Sequence, residues 1–270
     1  MTQTPTPEQE TFDLDYSIEE DIPPGTPHRD SQFVFARAPQ LITDKATQGR
    51  GERVLDVGCG FGSQMALLRE RGWQTWGLDA SGDLVNYCRG RFADEEGAPL
   101  VVAVAEALPF RDGTFDRIVC QGSLDHFTKP REFMQEMARV LKPEGRAIIA
   151  LSNYDSLSCR LGKALFRLQE RLRRPVYRGR PYWEIPPNHT FRGTLPVLKS
   201  LAEPHLELVE CRGLSLLWLF HRWTVLMEAL PERLAWSTMR GLDRVAYRMP
   251  GLADMIVSVW RPRRTGDGRA

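Results

Sequence analysis

A sequence of 270 residues with 36 Lys and Arg against 35 Asp and Glu has almost no net charge, formally +1. It therefore lacks the overall basic excess that would call for a nucleic-acid or membrane partner. Lysine is scarce, five residues beside 31 arginines, which with the acids in balance reads as codon usage rather than function. Cysteine is sparse too. Cys59, Cys88, Cys120, Cys159 and Cys211 are scattered, with no C-x-x-C pair. That disfavours a disulfide framework or a zinc site and fits buried thiols in a reducing compartment. No basic segment leading into an apolar one opens the chain, so no targeting segment is read there. A spanning helix needs about 20 mainly apolar residues, and the most apolar stretch, 214–230, is interrupted by His221 and Arg222. These absences point to a cytoplasmic protein. With 42% hydrophobic and 26% charged residues, it is long enough to bury one large core, or one core with a substantial insertion.

What is present has a strong order. Residues 1–25 hold seven acids and no Lys or Arg, with Pro5, Pro7, Pro23 and Pro24 among them, so a flexible acidic arm is expected at 1–30. A helix is expected over 31–44. From Arg53 onward strands and helices alternate. Val54–Val57 is a strand, followed by a helix carrying Met65 and Leu68. A second strand ends at Asp79, and Ser81 is an N-cap for a helix with Leu84, Val85, Cys88 and Phe92 on one face. Strands follow at 99–104, 115–120 and 146–151, the last two separated by a helix that starts at Pro130 and stops before Pro143. Such alternation predicts an α/β fold with a parallel sheet and right-handed crossovers. Ligands then bind beyond the carboxyl ends of the strands. Past residue 151 the rhythm changes, with insertions expected at about 154–190 and, as helix, 214–247. A helix is expected at 193–202, and strands at 205–211 and 255–260. Residues 31–265 read as a single domain.

The turn after the first strand is Asp56-Val57-Gly58-Cys59-Gly60-Phe61-Gly62. A dinucleotide fingerprint places its third glycine three residues after the second. Here the glycines are spaced by two, Ser63 stands at that position, and an acid precedes them. That acid would repel a pyrophosphate and suits a cationic head group. At this point the chain resembles the class I S-adenosylmethionine-dependent methyltransferases of the methyltransferase domain 11 type. The motif V-L-D-[VI]-G-C-G-x-G is matched over Val54–Gly62. Further matches are Gly77-Leu78-Asp79-Ala80-Ser81, Ala105-Glu106-Ala107-Leu108-Pro109-Phe110, Thr114-Phe115-Asp116 and Arg139-Val140-Leu141-Lys142-Pro143. The resemblance is strong over about 45–151. It implies a Rossmann-like, doubly wound, mainly parallel seven-stranded sheet with helices on both faces. It also implies S-adenosylmethionine as cofactor and S-adenosylhomocysteine as product. By similarity Asp56 serves the methionine amino group, Gly58, Cys59, Gly60 and Gly62 flank the cofactor, and Asp79 with Ala80 meets the ribose. Ala105, Glu106 and Gln121 complete the set. One departure stands out: Val104 replaces an acid that in the family reaches the adenine amino group, leaving Glu106 or the backbone at Ala105 to substitute.

Transfer from a sulfonium asks the protein to align the acceptor, exclude water and accept a proton where the nucleophile is a hydroxyl. The segment after the fourth strand, Gln121-Gly122-Ser123-Leu124-Asp125-His126-Phe127, lacks the [N/D]-P-P-[Y/F] tetrapeptide of enzymes that methylate nucleobase amines, which disfavours nucleic acid. His126 and His189 are the base candidates, since a histidine titrates near neutrality; either can equally be a structural histidine. Asp125, Tyr182 and Trp183 are candidates for the acceptor side, burial alone accounting equally well for the two aromatics. No clustering of His and carboxylates along the chain suggests a metal. From Arg160 to Arg180 eight bases (Arg160, Lys163, Arg167, Arg171, Arg173, Arg174, Arg178, Arg180) accompany one acid, Glu170, and leucines recur every three or four residues. Three readings stay open for this basic amphipathic helix: a lid with solvated charges, a contact with a membrane or acidic carrier protein, and a pairing with the acidic arm. The expected activity is methylation of a small molecule, at an oxygen of an apolar or amphipathic metabolite such as a quinone, polyketide, lipid or glycosylated product, by a monomer or homodimer. The rivals are a catalytically silent methyltransferase-like binding subunit and a nicotinamide-dependent oxidoreductase.

Overall fold

The computed structural model describes residues 28–93, 99–172 and 181–263. The acidic arm up to residue 27, and Arg173, Arg174, Arg178 and Arg180 of the basic segment, lie outside the described residues. Helix α1 (Arg29–Ala46) precedes β1 (Arg53–Val57), α2 (Ser63–Glu70), β2 (Gln74–Asp79), α3 (Gly82–Arg91) and β3 (Leu100–Val102). Next come β4 (Phe115–Gln121), α4 (Pro130–Val140), β5 (Leu141–Ser152), α5 (Leu157–Arg171) and α6 (Leu195–Ala202). The chain continues through β6 (Leu206–Leu214), α7 (His221–Ala229), α8 (Glu232–Arg248) and β7 (Met255–Pro262).

The seven strands form one sheet in the order β3-β2-β1-β4-β5-β7-β6. Strands β1 to β5 pair in parallel, and β7 runs antiparallel to both its neighbours. This is the expected mainly parallel, doubly wound sheet. Val54, Leu55 and Val57 of β1 are all fully buried, because helices cover both faces and a strand there must be apolar on both sides. Alternation then divides the core. Leu55, Val57, Ile118 and Cys120 point to the face covered by α4 and α6. Val54, Val119, Ile148 and Val257 point to the face covered by α1, α7 and α8. In α4, Pro130 occupies the first turn, where its missing N–H costs nothing, and Phe133, Met134, Met137 and Val140 are fully buried. Ser81 caps α3, its hydroxyl accepting from Leu84 N at 3.3 Å.

Two expected boundaries move. β5 starts at Leu141 rather than 146, because Leu141 already pairs with Phe115 and the register then slips past Pro143 before Arg146 meets Arg117. Pro143 is tolerated at that irregularity, where no ladder N–H is needed. The stretch 214–247 is not one helix. Ser215, Leu217 and Leu219 adopt positive φ, and Leu230, at ψ 152°, is held extended ahead of Pro231, which separates α7 from α8.

One buried cation ties the first helix to the sheet. Arg117 on β4 is 4% exposed and donates to the carbonyls of Ala46 (2.9 Å), Gln48 (2.6 Å), Arg50 (3.1 Å) and Asp116 (2.7 Å). Arg117→Met is expected to strip all four of their donor and to lower stability by about 2–4 kcal/mol. Urea unfolding measures this, and a change under about 1 kcal/mol would show that water replaces the guanidinium at little cost.

Candidate functional site

The link from β1 to α2 requires glycine. Gly58, Gly60 and Gly62 have φ of 70°, 49° and 71°, a region that side chains disfavour. At Gly58 a Cβ would also collide with the Ser123 side chain, whose hydroxyl donates to Gly58 O at 3.3 Å, so the loop after β4 rests a side chain on the bare backbone of the turn. The turn is held by its neighbour strand. Gly58 N and Cys59 N donate to Leu78 O at 2.8 and 3.0 Å. Asp79, at the end of β2, accepts from Gly60 N through Oδ2 and from Ser81 N through Oδ1, both at 2.9 Å.

Beyond the strand ends this arrangement opens a cavity of about 300 Å³. Gly58, Gly60, Asp79, Ala80, Ala105, Glu106 and His126 line it, as does Val104. Glu106 Oε1 accepts from Lys129 N at 3.1 Å, so a carboxylate does border the cleft two residues beyond Val104. Asp56, Cys59, Gly62 and Gln121 are not among the lining residues. Gly62 is the N-cap of α2, Gln121 ends β4, and Asp56 and Cys59 are buried, at 2% and 7% exposure. Asp56 Oδ2 has no hydrogen-bond partner. Burial, with the charge of Asp79 adding to it, pushes the Asp56 carboxyl up to about 8. A buried, orphaned carboxyl under a glycine turn suits a ligand that brings positive charge and N–H donors. The free lone pairs of Asp79 suit a diol, since a carboxylate can accept about four hydrogen bonds. The residues present therefore fit S-adenosylmethionine. The Cys59 thiol, by contrast, is pushed up by its hydrogen bond to Cys88 and by burial, so it is no nucleophile.

A second cluster lies beside His126. His189 Nδ1 is 3.0 Å from Asp125 Oδ2, and Tyr154 Oη lies 3.5 Å from the same nitrogen. The rings of His126 and His189 meet edge to face with centroids 4.6 Å apart. Thr190 holds the two loops together: its N–H donates to Asp125 O at 2.7 Å and its hydroxyl to Phe127 O at 2.8 Å. Asp125 is 4% exposed, and its Oδ1 has no partner. Chain spacing suggested no cluster of metal-ligand types. The fold makes one, because the Thr190 bonds bring distant loops together: Asp125, His126 and His189 each offer a ligand atom within 4.8 Å of the others. Tyr154 went unread in the sequence, although its place just past the carboxyl end of β5 was a usable signal.

Tyr182 and Trp183 sit elsewhere. Tyr182 Oη donates to Ser158 O at 2.6 Å, and a Cβ at Gly162 would lie 2.4 Å from Tyr182 Oη and 2.6 Å from the Trp183 ring. The two aromatics pack on α5 and do not line the cleft.

Comparison with known proteins agrees with this geometry. Residues 55–149 match the family model described as Methyltransferase domain. The fatty-acid O-methyltransferase of Mycolicibacterium smegmatis is 37% identical over 136 residues, 49% of this chain and 49% of that protein. The demethylmenaquinone methyltransferase of Clavibacter sepedonicus is 36% identical over 99 residues, 37% of this chain and 40% of that protein. This chain thus spans about half the length of the curated relatives it matches, or less. Among solved structures, the YcgJ protein of Bacillus subtilis superposes with a TM-score of 0.53 at 22% identity, covering 86% of this chain and 100% of that one. The motif, the strand order and the glycine cleft thus coincide with a match to the Methyltransferase domain model over residues 55–149.

Proposed function

We propose that the protein is an S-adenosylmethionine-dependent methyltransferase acting on an oxygen of an apolar or amphipathic small molecule. The observation that carries this reading is the buried, unpartnered carboxyl of Asp56 beneath the left-handed glycine turn. The fatty-acid and demethylmenaquinone acceptors in the names of two relatives support the acceptor class. When bound, the cofactor supplies an electrophilic methyl carbon on a sulfonium. Asp79 offers its remaining lone pairs to the ribose, and Asp56 offers its charge to the amino group. On the acceptor side Asp125 fixes the His189 ring through Nδ1, leaving Nε2 as the atom to take the hydroxyl proton. The charge formed on His189 is then balanced by the Asp125 carboxylate.

Calorimetry tests the cofactor assignment. S-adenosylmethionine and S-adenosylhomocysteine are expected to bind, and NAD is not. The affinity should also depend on pH. In the free protein Asp56 is neutral below about 8, so binding a cationic group there must expel a proton. Affinity then rises with pH, by up to about tenfold per unit, and levels off above pH 8. Asp56→Asn should flatten the curve and weaken binding. NAD binding, or a flat profile in the parent protein, would overturn the assignment. Val104 favours the rival of a silent binding subunit, which predicts tight cofactor binding with no turnover on fatty acids, quinones or polyketides.

A further inference from the structure

The amphipathic helix α5 packs in the reverse of the usual sense. Its buried residues are Ser158, Cys159 and Gly162, and the Tyr182 and Trp183 rings occupy the space that a side chain at 162 would need. Small residues therefore make the closest contact with the body of the protein. Leu157 and Leu165 are half-buried, Leu157 against the cluster of Leu216, Ala246 and Ala253, but three leucines are left outside: Leu161 is 39% exposed, Leu168 51% and the C-cap Leu172 57%. At about 100° per residue these three fall within an arc of roughly 40°, about 105° round the helix from the packed stripe. Leu219, 44% exposed, borders a small cavity with Ser158 and Cys159 on the packed side of the helix.

Along one edge of this leucine stripe runs positive charge. Arg160, Arg167 and Arg171 are exposed, with Glu170 the one acid of the helix. Among the described residues Arg167 and Arg171 make no ion pair, and Arg160 donates only to Asp155 O. Exposed leucines cost free energy in water, and unpaired arginines bordering them lie at the depth of the phosphate layer when such a helix rests on a bilayer. No described helix is long and apolar enough to cross a membrane, so the contact is with its surface.

We propose that α5 docks the protein on an anionic phospholipid bilayer, its leucine stripe entering the headgroup boundary and Arg160, Arg167 and Arg171 meeting lipid phosphates. The helix leaves the carboxyl end of β5 next to Tyr154 and the Asp125–His189 pair, so docking brings the acceptor side of the site to the membrane. That last point rests on the proposed function, whereas docking itself does not require methyl transfer.

The test is sedimentation of the full chain with vesicles of phosphatidylcholine alone, or with about one-third phosphatidylglycerol. Binding is expected to be at least tenfold stronger on the anionic vesicles and to weaken in about 0.5 M salt. The double variant Leu161→Asp/Leu168→Asp should lose roughly tenfold or more, since it removes the inserted surface. Arg167→Glu/Arg171→Glu should lose at least as much, each cation contributing about fivefold before reversal. Arg71→Glu, a charge change on another surface, should bind like the parent, and circular dichroism confirms that each variant is folded. Equal binding to both vesicle types, no binding, or parent-like binding by the leucine variant would overturn the proposal. So would capture of α5 by an acidic carrier protein without vesicle binding. Vesicle binding by a protein that transfers no methyl group would leave docking standing and remove only the assigned chemistry.

Discussion

Asp79→Ala is expected to lower affinity for S-adenosylmethionine by at least about 100-fold in a protein that still folds, because hydrogen bonds to a charged acceptor are worth about 1.5–3 kcal/mol each. Asp79 acts twice. It accepts from Gly60 N and Ser81 N, which fixes the glycine turn against the start of α3, and it faces the cleft where a ribose would sit. Alanine removes both the clamp and the ligand acceptor. Asp79→Asn separates charge from hydrogen bonding. It keeps one acceptor oxygen but removes a charge that, after burial, is the next contributor to the raised Asp56 carboxyl. Asp56 should then titrate below its present value of about 8, and the pH at which cofactor affinity levels off should fall with it. Calorimetry across that range reads both effects. Parent-like affinity in Asp79→Ala would take this residue out of the donor site.

The second large effect belongs to the proposed proton acceptor. His189→Ala is expected to reduce kcat by about 10²–10⁴-fold, the usual worth of a positioned general base. Cofactor affinity should not change, since neither His189 nor Asp125 lines the cleft. Asp125→Asn should lose less, about 10- to 100-fold, because the imidazole survives but its orienting carboxylate does not. His126 does line the cleft, so His126→Ala should weaken cofactor binding as well as turnover, and that difference tells the two histidines apart. A chelator arm completes the experiment. Activity that persists after EDTA treatment keeps Asp125–His189 as a base pair. Activity lost to EDTA and restored by a divalent ion would make Asp125, His126 and His189 metal ligands instead.

The parts of this protein that could be read from sequence are those whose signals are local. Val54 to Val57 is apolar throughout because helices cover both faces of β1, and Gly58, Gly60 and Gly62 mark a backbone that side chains cannot follow. Pro130 and Ser81 announced helix starts for reasons confined to one turn. Proline was misjudged where its effect depended on a neighbour. Pro143 sits inside β5 only because the ladder slips there, and Pro231 divides a stretch that is helical on both sides of it. The Asp125–His189 contact had no local signal at all, since it is made by Thr190 reaching carbonyls of a distant loop. Tyr182 and Trp183 show the limit of composition: aromatic rings near a cleft and aromatic rings packed on a glycine look alike until Gly162 is seen beneath them.

The reversed strand β7 has a bearing on how the molecule is made. It is the last of the seven to be synthesised, yet it lies inside the sheet, between β5 and β6. Until it leaves the ribosome, β5 and β6 each present a bare ladder edge, and β6 has no other strand to pair with. The nascent chain therefore carries two unmated edges through translation of α7 and α8, an interval in which sticking to other chains competes with closure.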